Sequence, residues 1–202
     1  MIAIIDYDAG NIKSVEKALQ YLGEEVVITR DPEILLGADK VILPGVGAFG
    51  DAMSRLNEYG LIEIIHKIVE KKTPFWGICL GLQLLFDSSE EAPGVKGLGI
   101  LPGKIVKFPT EIGLKIPQIG WNNLDYANGD CPILKDIPSP SDFYFVHSYV
   151  ICPEDASVVK AYADYGIKVP AVIQDGNTYA CQFHPEKSGP VGLKILKNFC
   201  EL

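Results

Sequence analysis

The chain of 202 residues is short of several things. Basic residues are outnumbered, 18 lysines and arginines against 26 acids, giving a net charge of −8 at pH 7. Such a surface repels phosphate backbones, which excludes nucleic acid as the expected partner. No apolar stretch approaches the roughly 18 residues that a membrane helix needs. The opening MIAIIDYDAG carries no basic segment ahead of its short apolar run, so neither a membrane span nor a signal peptide is expected. Cysteine is sparse and unpatterned: the five, at positions 79, 131, 152, 181 and 200, form no CxxC pair. That usage excludes a disulfide framework and points to a reducing, cytoplasmic setting. Histidine occurs only at 66, 147 and 184, with no ligand spacing for zinc, and no metal or other cofactor is implied.

What is present is a strong alternation of short apolar runs. Ile2 to Asp6 reads as a strand. Asn11 is placed to cap a helix that carries Ile12, Val15, Ala18, Leu19 and Leu22 and stops at Gly23. Glu25 to Thr29 and Lys40 to Leu43 are further β-rich runs, and Leu61 to Lys72 is another helix. A βαβ rhythm predicts a largely parallel sheet covered by helices. From Gly97 onward, strands punctuated by Pro and Gly (103 to 108, 142 to 151, 158 to 163) read as antiparallel. Val172 to Gln174 and Thr178 to Phe183 flank Asp175-Gly176-Asn177 as a hairpin, and a last helix follows from Pro190 to Phe199. With no repeat, linker or low-complexity segment, residues 1–202 are expected to form one mixed α/β domain.

Two short motifs carry chemistry. Thr73 to Ile78 reads as a buried strand and Leu80 to Phe86 as a helix, so Gly77-Ile78-Cys79-Leu80-Gly81 spans a tight strand-to-helix turn. This geometry sets a sulfur at a helix N-terminus, where the dipole favours an anion by roughly 0.3 to 2 kcal/mol. About a hundred residues later stands His184-Pro185-Glu186. Pro185 biases His184 toward an extended conformation, which sets Glu186 on the side that His184 uses. A thiol, an imidazole and a carboxylate are the parts of a nucleophile, its acid/base and the group that orients the base. Amide hydrolysis also needs donors for the oxyanion. The N–H of Leu80 follows from the turn itself, and the loop Gly45-Val46-Gly47, which follows a strand at the sheet edge where ligands bind, offers a second donor. Because Val46 lies between two glycines, its peptide can rotate at little steric cost.

GICLG followed by QLL, and QFHPEKS near the end, resemble the class I (triad-type) glutamine amidotransferases. Pro44 to Phe49 (PGVGAF), Gly120-Trp121-Asn122 and Tyr144 to Tyr149 (YFVHSY) are similar to the glutaminase subunits of imidazole glycerol phosphate synthase, and the likeness runs from Ile2 to Phe199. Gln118 departs from the pattern, which often has histidine there. The resemblance implies a flavodoxin-like fold with an added antiparallel region, L-glutamine as substrate, and catalysis by Cys79, His184 and Glu186. It further implies that Val46 is the loop residue that supplies the second oxyanion donor, and that Gly47, Gln83, Glu91, Ser148 and Tyr149 bind glutamine. Trp121, Asn122, Tyr144 and Lys187 would then border the docking face and ammonia path toward a (β/α)8-barrel cyclase subunit in a heterodimer. Read without the family, Gln83 lies one helical turn past Cys79 and faces the same side. Glu91 reads equally as a solvated charge, His147 as a packed strand histidine, and Trp121 and Tyr144 as core aromatics. The competing functions are another class I glutaminase, a thiol hydrolase of other specificity, or a non-catalytic module; an intact triad argues against the last.

Overall fold

In the computed structural model, which describes residues 1–202, the chain alternates strand and helix through its first half. In order come β1 (Ile2–Ile5), α1 (Ile12–Tyr21), β2 (Val26–Thr29), α2 (Pro32–Gly37), β3 (Lys40–Leu43), α3 (Phe49–Glu58), α4 (Leu61–Glu70), β4 (Phe75–Ile78) and α5 (Leu80–Leu84). Then follow β5 (Ser88–Ser89), β6 (Gly103–Lys107), β7 (Gln118–Asn123), β8 (Asp125–Tyr126), β9 (Asp142–His147), β10 (Tyr149–Pro153), β11 (Val159–Asp164), β12 (Lys168–Asp175), β13 (Thr178–Cys181) and α6 (Gly189–Cys200). No helix is long and apolar enough to cross a membrane.

The main sheet has eight strands in the order β2-β1-β3-β4-β13-β12-β11-β8. Its first five are parallel, and β12, β11 and β8 continue antiparallel. The antiparallel reading of the second half therefore needs correction: β13 joins the parallel half beside β4, and β5 pairs parallel with β6. A continuous apolar strand is what a sheet buried on both faces requires. In β1, Ile2 and Ile4 enter the core shared with Val15, Leu19, Trp76 and Phe199, whereas Ala3 and Ile5 enter the core of Leu43, Phe49, Leu56, Ile65 and Phe75 on the other face.

Two smaller sheets, β10-β6-β5 and β7-β9, sit beyond the parallel half. The predicted run from 142 to 151 breaks at Ser148, and its two halves enter different sheets. Gly23, with φ at +87°, lets the Glu24 N–H close back on the Leu19 carbonyl at 3.1 Å, and this ends α1 as expected. Asn11 does not cap that helix: it lies in the left-handed region and its side chain goes elsewhere.

Candidate active site

Ligands of open α/β sheets bind where loops leave the carboxyl ends of the strands. Here the loops after β1, β3, β4 and β13 meet at that edge. Cys79 follows β4 directly with φ 54° and ψ −105°, an uncommon backbone for a residue with a side chain. Two glycines make this elbow possible. A Cβ on Gly81 would stand 1.8 Å from the Leu43 carbonyl oxygen, and one on Gly77 would stand 2.6 Å from the Gly81 carbonyl oxygen. The Cys79 N–H is anchored on the Cys181 carbonyl at 2.8 Å.

His184 and Glu186 are 1% and 0% exposed in their side chains, and Nδ1 of His184 lies 2.8 Å from Oε1 of Glu186. The expected pairing is present, but its geometric basis differs. His184 is extended, whereas Pro185–Lys187 forms a single 3-10 turn that curls the carboxylate back onto the ring. The same Oε1 accepts from Nδ2 of Asn11 at 2.5 Å, across 175 residues. Asn11 thus fixes the carboxylate that fixes the imidazole. Nε2 of His184 and Oε2 of Glu186 are buried without a protein partner, so the ring's second nitrogen is free for a proton transfer. Burial on its own would push the His184 pKa down. The Cys79 sulfur and the Glu186 carboxylate outweigh it and hold the group at about 9.

A cavity of about 330 Å³ opens beside the sulfur. Gly47, Gln83, Glu91, Ser148 and Tyr149 all line it, together with Val46, Cys79, Leu80, Pro117, Val146 and His147. Gln83 is buried and donates from Nε2 to the Tyr149 carbonyl at 3.4 Å and to Oε1 of Gln182 at 3.2 Å. Glu91 is not a solvated charge alone: its Oε2 accepts the Phe49 N–H at 2.8 Å and satisfies the first turn of α3. His147 is packed, as its strand pattern predicts, and stands 2.8 Å from the Tyr149 carbonyl and 3.0 Å from Oε1 of Gln118. Burial brings its pKa down to about 4.

The two candidate oxyanion donors do not converge. The Leu80 N–H, read as free in the turn, donates instead to the Gly45 carbonyl at 3.3 Å. The Gly45–Val46 bond is trans, so its N–H points opposite to that carbonyl and away from Leu80.

The interface residues divide. Trp121 is 59% exposed and Ile119 56%, on the face of β7 that pairs with Tyr144 and Val146 of β9. Trp121 meets Tyr144 edge-on at 5.9 Å. Lys187 is exposed nearby on the turn that carries Glu186. Asn122 faces the other way and donates to the Asp164 carbonyl at 2.7 Å. Sequence reasoning missed Asn11 as a site residue and Gln182 altogether. For Gln182 the signal was its two-residue offset from His184 in an extended stretch, and for Asn11 there was none.

The chain belongs to the class I glutamine amidotransferase family: the family described as "Glutamine amidotransferase class-I" matches residues 3–202. Within that class it groups with the HisH subunits of imidazole glycerol phosphate synthase. It is 50% identical over 202 residues to "Imidazole glycerol phosphate synthase subunit HisH" of Methanocaldococcus jannaschii, and 48% identical over 206 residues to "Imidazole glycerol phosphate synthase subunit HisH 1" of Methanococcus maripaludis. Each alignment covers 100% of both proteins. Among solved structures, one titled "Crystal structure of glutamine amidotransferase" matches with a TM-score of 0.78 at 22% identity, over 100% of this chain and 98% of that one. "Structure of PurLQS from Thermotoga maritima" matches at 0.76 and 20%, over 99% and 97%. At those identities the likeness speaks for the fold.

Proposed function

We infer that this chain is a single amidotransferase domain working in the cytoplasm as the glutaminase subunit of an imidazole glycerol phosphate synthase. It hydrolyses L-glutamine to glutamate and ammonia for histidine biosynthesis. The observation that carries the reading is the buried His184–Glu186 pair, set beside Cys79 at the mouth of a cavity that all five proposed glutamine-binding residues line.

In this mechanism the Cys79 thiolate attacks the side-chain amide carbon of glutamine, and the C–N bond breaks as His184 delivers a proton from Nε2 to the departing nitrogen. The product of this half-reaction is a thioester. Water, deprotonated by His184, then attacks the thioester carbon, and the C–S bond breaks to release glutamate. Glu186, itself held by Asn11, keeps the ring oriented and balances its charge through both steps. Leu80 and Val46 supply the oxyanion donors once the Gly45–Val46 peptide has turned.

The exposed aromatic face of β7 and β9 supports a partner. Val146 belongs to that face and also to the cavity wall, and its carbonyl stands 4.0 Å from the Cys79 sulfur. Tyr144 ties the same strand to the catalytic turn: its carbonyl accepts the His184 N–H at 2.9 Å and its N–H reaches Oγ of Ser188 at 3.0 Å. A (β/α)8-barrel cyclase docked here receives ammonia by a sheltered path and joins it to a phosphoribulosyl-formimino carboxamide ribonucleotide. In bulk water ammonia is mostly protonated and not nucleophilic. Cys79→Ala in the assembled complex is the test: glutamine-dependent synthesis is lost while synthesis from added ammonium salt persists. Equal loss of both would end the division of labour between the subunits.

A further inference from the structure

Beside the sulfur lies a side chain that the triad chemistry leaves unused. Gln182 is fully buried, and its Nε2 stands 3.8 Å from the Cys79 sulfur. The sheet dictates this meeting. β13 runs parallel to β4 with Cys181 opposite Ile78, so the next residue along each strand, Gln182 and Cys79, come together at the carboxyl edge.

Which end of the Gln182 amide faces the sulfur is fixed from a distance. The Tyr149 carbonyl can only accept, so Gln83 must turn its NH₂ toward it. The second hydrogen of that same group goes to Oε1 of Gln182. With Oε1 engaged, Gln182 has only its NH₂ to offer Cys79. Polarity therefore runs one way, from a backbone carbonyl through two amides to the sulfur. Reversing it would set buried donors against each other.

We propose that Gln182 is a positioning residue for the nucleophile, holding the Cys79 sulfur through an amide N–H that binds the thiolate more strongly than the thiol. A donor to an ionised acceptor makes a stronger bond than a donor to a neutral one. Gln83 takes part by fixing the amide's orientation. The proposal rests on the glutaminase reading only in naming Cys79 as the nucleophile, and it is tested on the sulfur itself with no glutamine present.

The experiment is alkylation of the complete chain by iodoacetamide across pH, with the rate at each cysteine followed by peptide mass spectrometry. Gln182→Met keeps length but loses the donor. The titratable groups that face the sulfur, His184, Tyr7 and Cys181, are the same in every variant, so the pH midpoint for Cys79 is expected to rise and alkylation below it to slow by about tenfold. Gln182→Glu, which presents an anion, moves it further. Exposed Cys152 serves as the internal standard and does not change. An unmoved Cys79 midpoint in Gln182→Met overturns the proposal. Should Gln182→Met unfold, seen as alkylation of buried Cys181, Gln83→Met takes its place. Freed from its orienting partner, the Gln182 amide then holds the sulfur less well, and the midpoint rises by a smaller step. No rise in that variant is equally fatal. A chain devoid of glutaminase activity could still show the higher midpoint, so the two readings fail separately.

Discussion

The Leu80 amide hydrogen is held by the Gly45 carbonyl at 3.3 Å. In this one contact both candidate oxyanion donors are withheld, one occupied and the other turned outward by the planarity of the same peptide. Loss of a single oxyanion donor typically lowers a rate by about 10² to 10³. The proposed triad therefore stands beside a hole that lacks both of its proposed donors.

Gly47 follows Val46 directly in the loop whose peptide is turned outward. Its φ of +114° is closed to proline, whose ring fixes φ near −65°. Gly47→Pro must leave the arrangement seen here, and the ratio of glutaminase rates with and without the cyclase subunit is expected to collapse toward one. A ratio equal to that of the unaltered chain would remove Gly47 from the switch.

The carboxylate relay sets an order of effects. His184→Ala removes the proton carrier, Glu186→Gln only misorients and uncharges its support, and Asn11→Ala only loosens that support. Steady-state glutaminase rates at matched cyclase saturation should fall most for the first and least for the third. If Asn11→Ala matches His184→Ala, the asparagine is doing something other than holding Glu186.

Two histidines bracket the pH range of stability. His184 is raised to about 9 in the fold against an ordinary value of 6.5, so its contribution is complete below about pH 6.5 and is lost as pH rises through 9. His147 is lowered to about 4, so between pH 6.5 and 4 the unfolded chain takes up a proton that the folded chain refuses, and stability falls with pH. Each limb is worth a few kcal/mol, because a tenfold change in proton affinity corresponds to about 1.4 kcal/mol. Urea unfolding from pH 4.5 to 9.5 should show both limbs. His147→Gln flattens the acid limb and His184→Gln the alkaline one; a limb that survives its substitution belongs to another group.

Local periodicity made the parallel half of the fold legible: β1, α1, β3, α4 and β4 lie where apolar spacing and the glycine stop put them. α2 and α3 escaped notice, since the first is a short turn led by Pro32 and the second opens on a glycine-rich loop that draws attention to its chemistry. The pairing of His184 with Glu186 was legible because both sit within one short motif. The contacts that support it were not, because they join strands and loops far apart in sequence. Asn11 looks like a helix cap from its neighbours and becomes a partner of Glu186 only when α1 and the turn after β13 are folded together. Leu80 looked like a free donor because an elbow generates one, and a loop 35 residues earlier takes it.

The most direct measurement is the glutaminase rate of this chain alone, of its complex with the barrel subunit, and of that complex with nucleotide substrate bound. If docking releases Leu80 from Gly45 and turns Val46 inward, the free chain is a very poor glutaminase, and the loaded complex is faster by at least the roughly 10² to 10³ that each recovered donor typically supplies. Comparable rates in all three states would mean that the contact between Leu80 and Gly45 restrains nothing, and that the chain is a free-standing hydrolase.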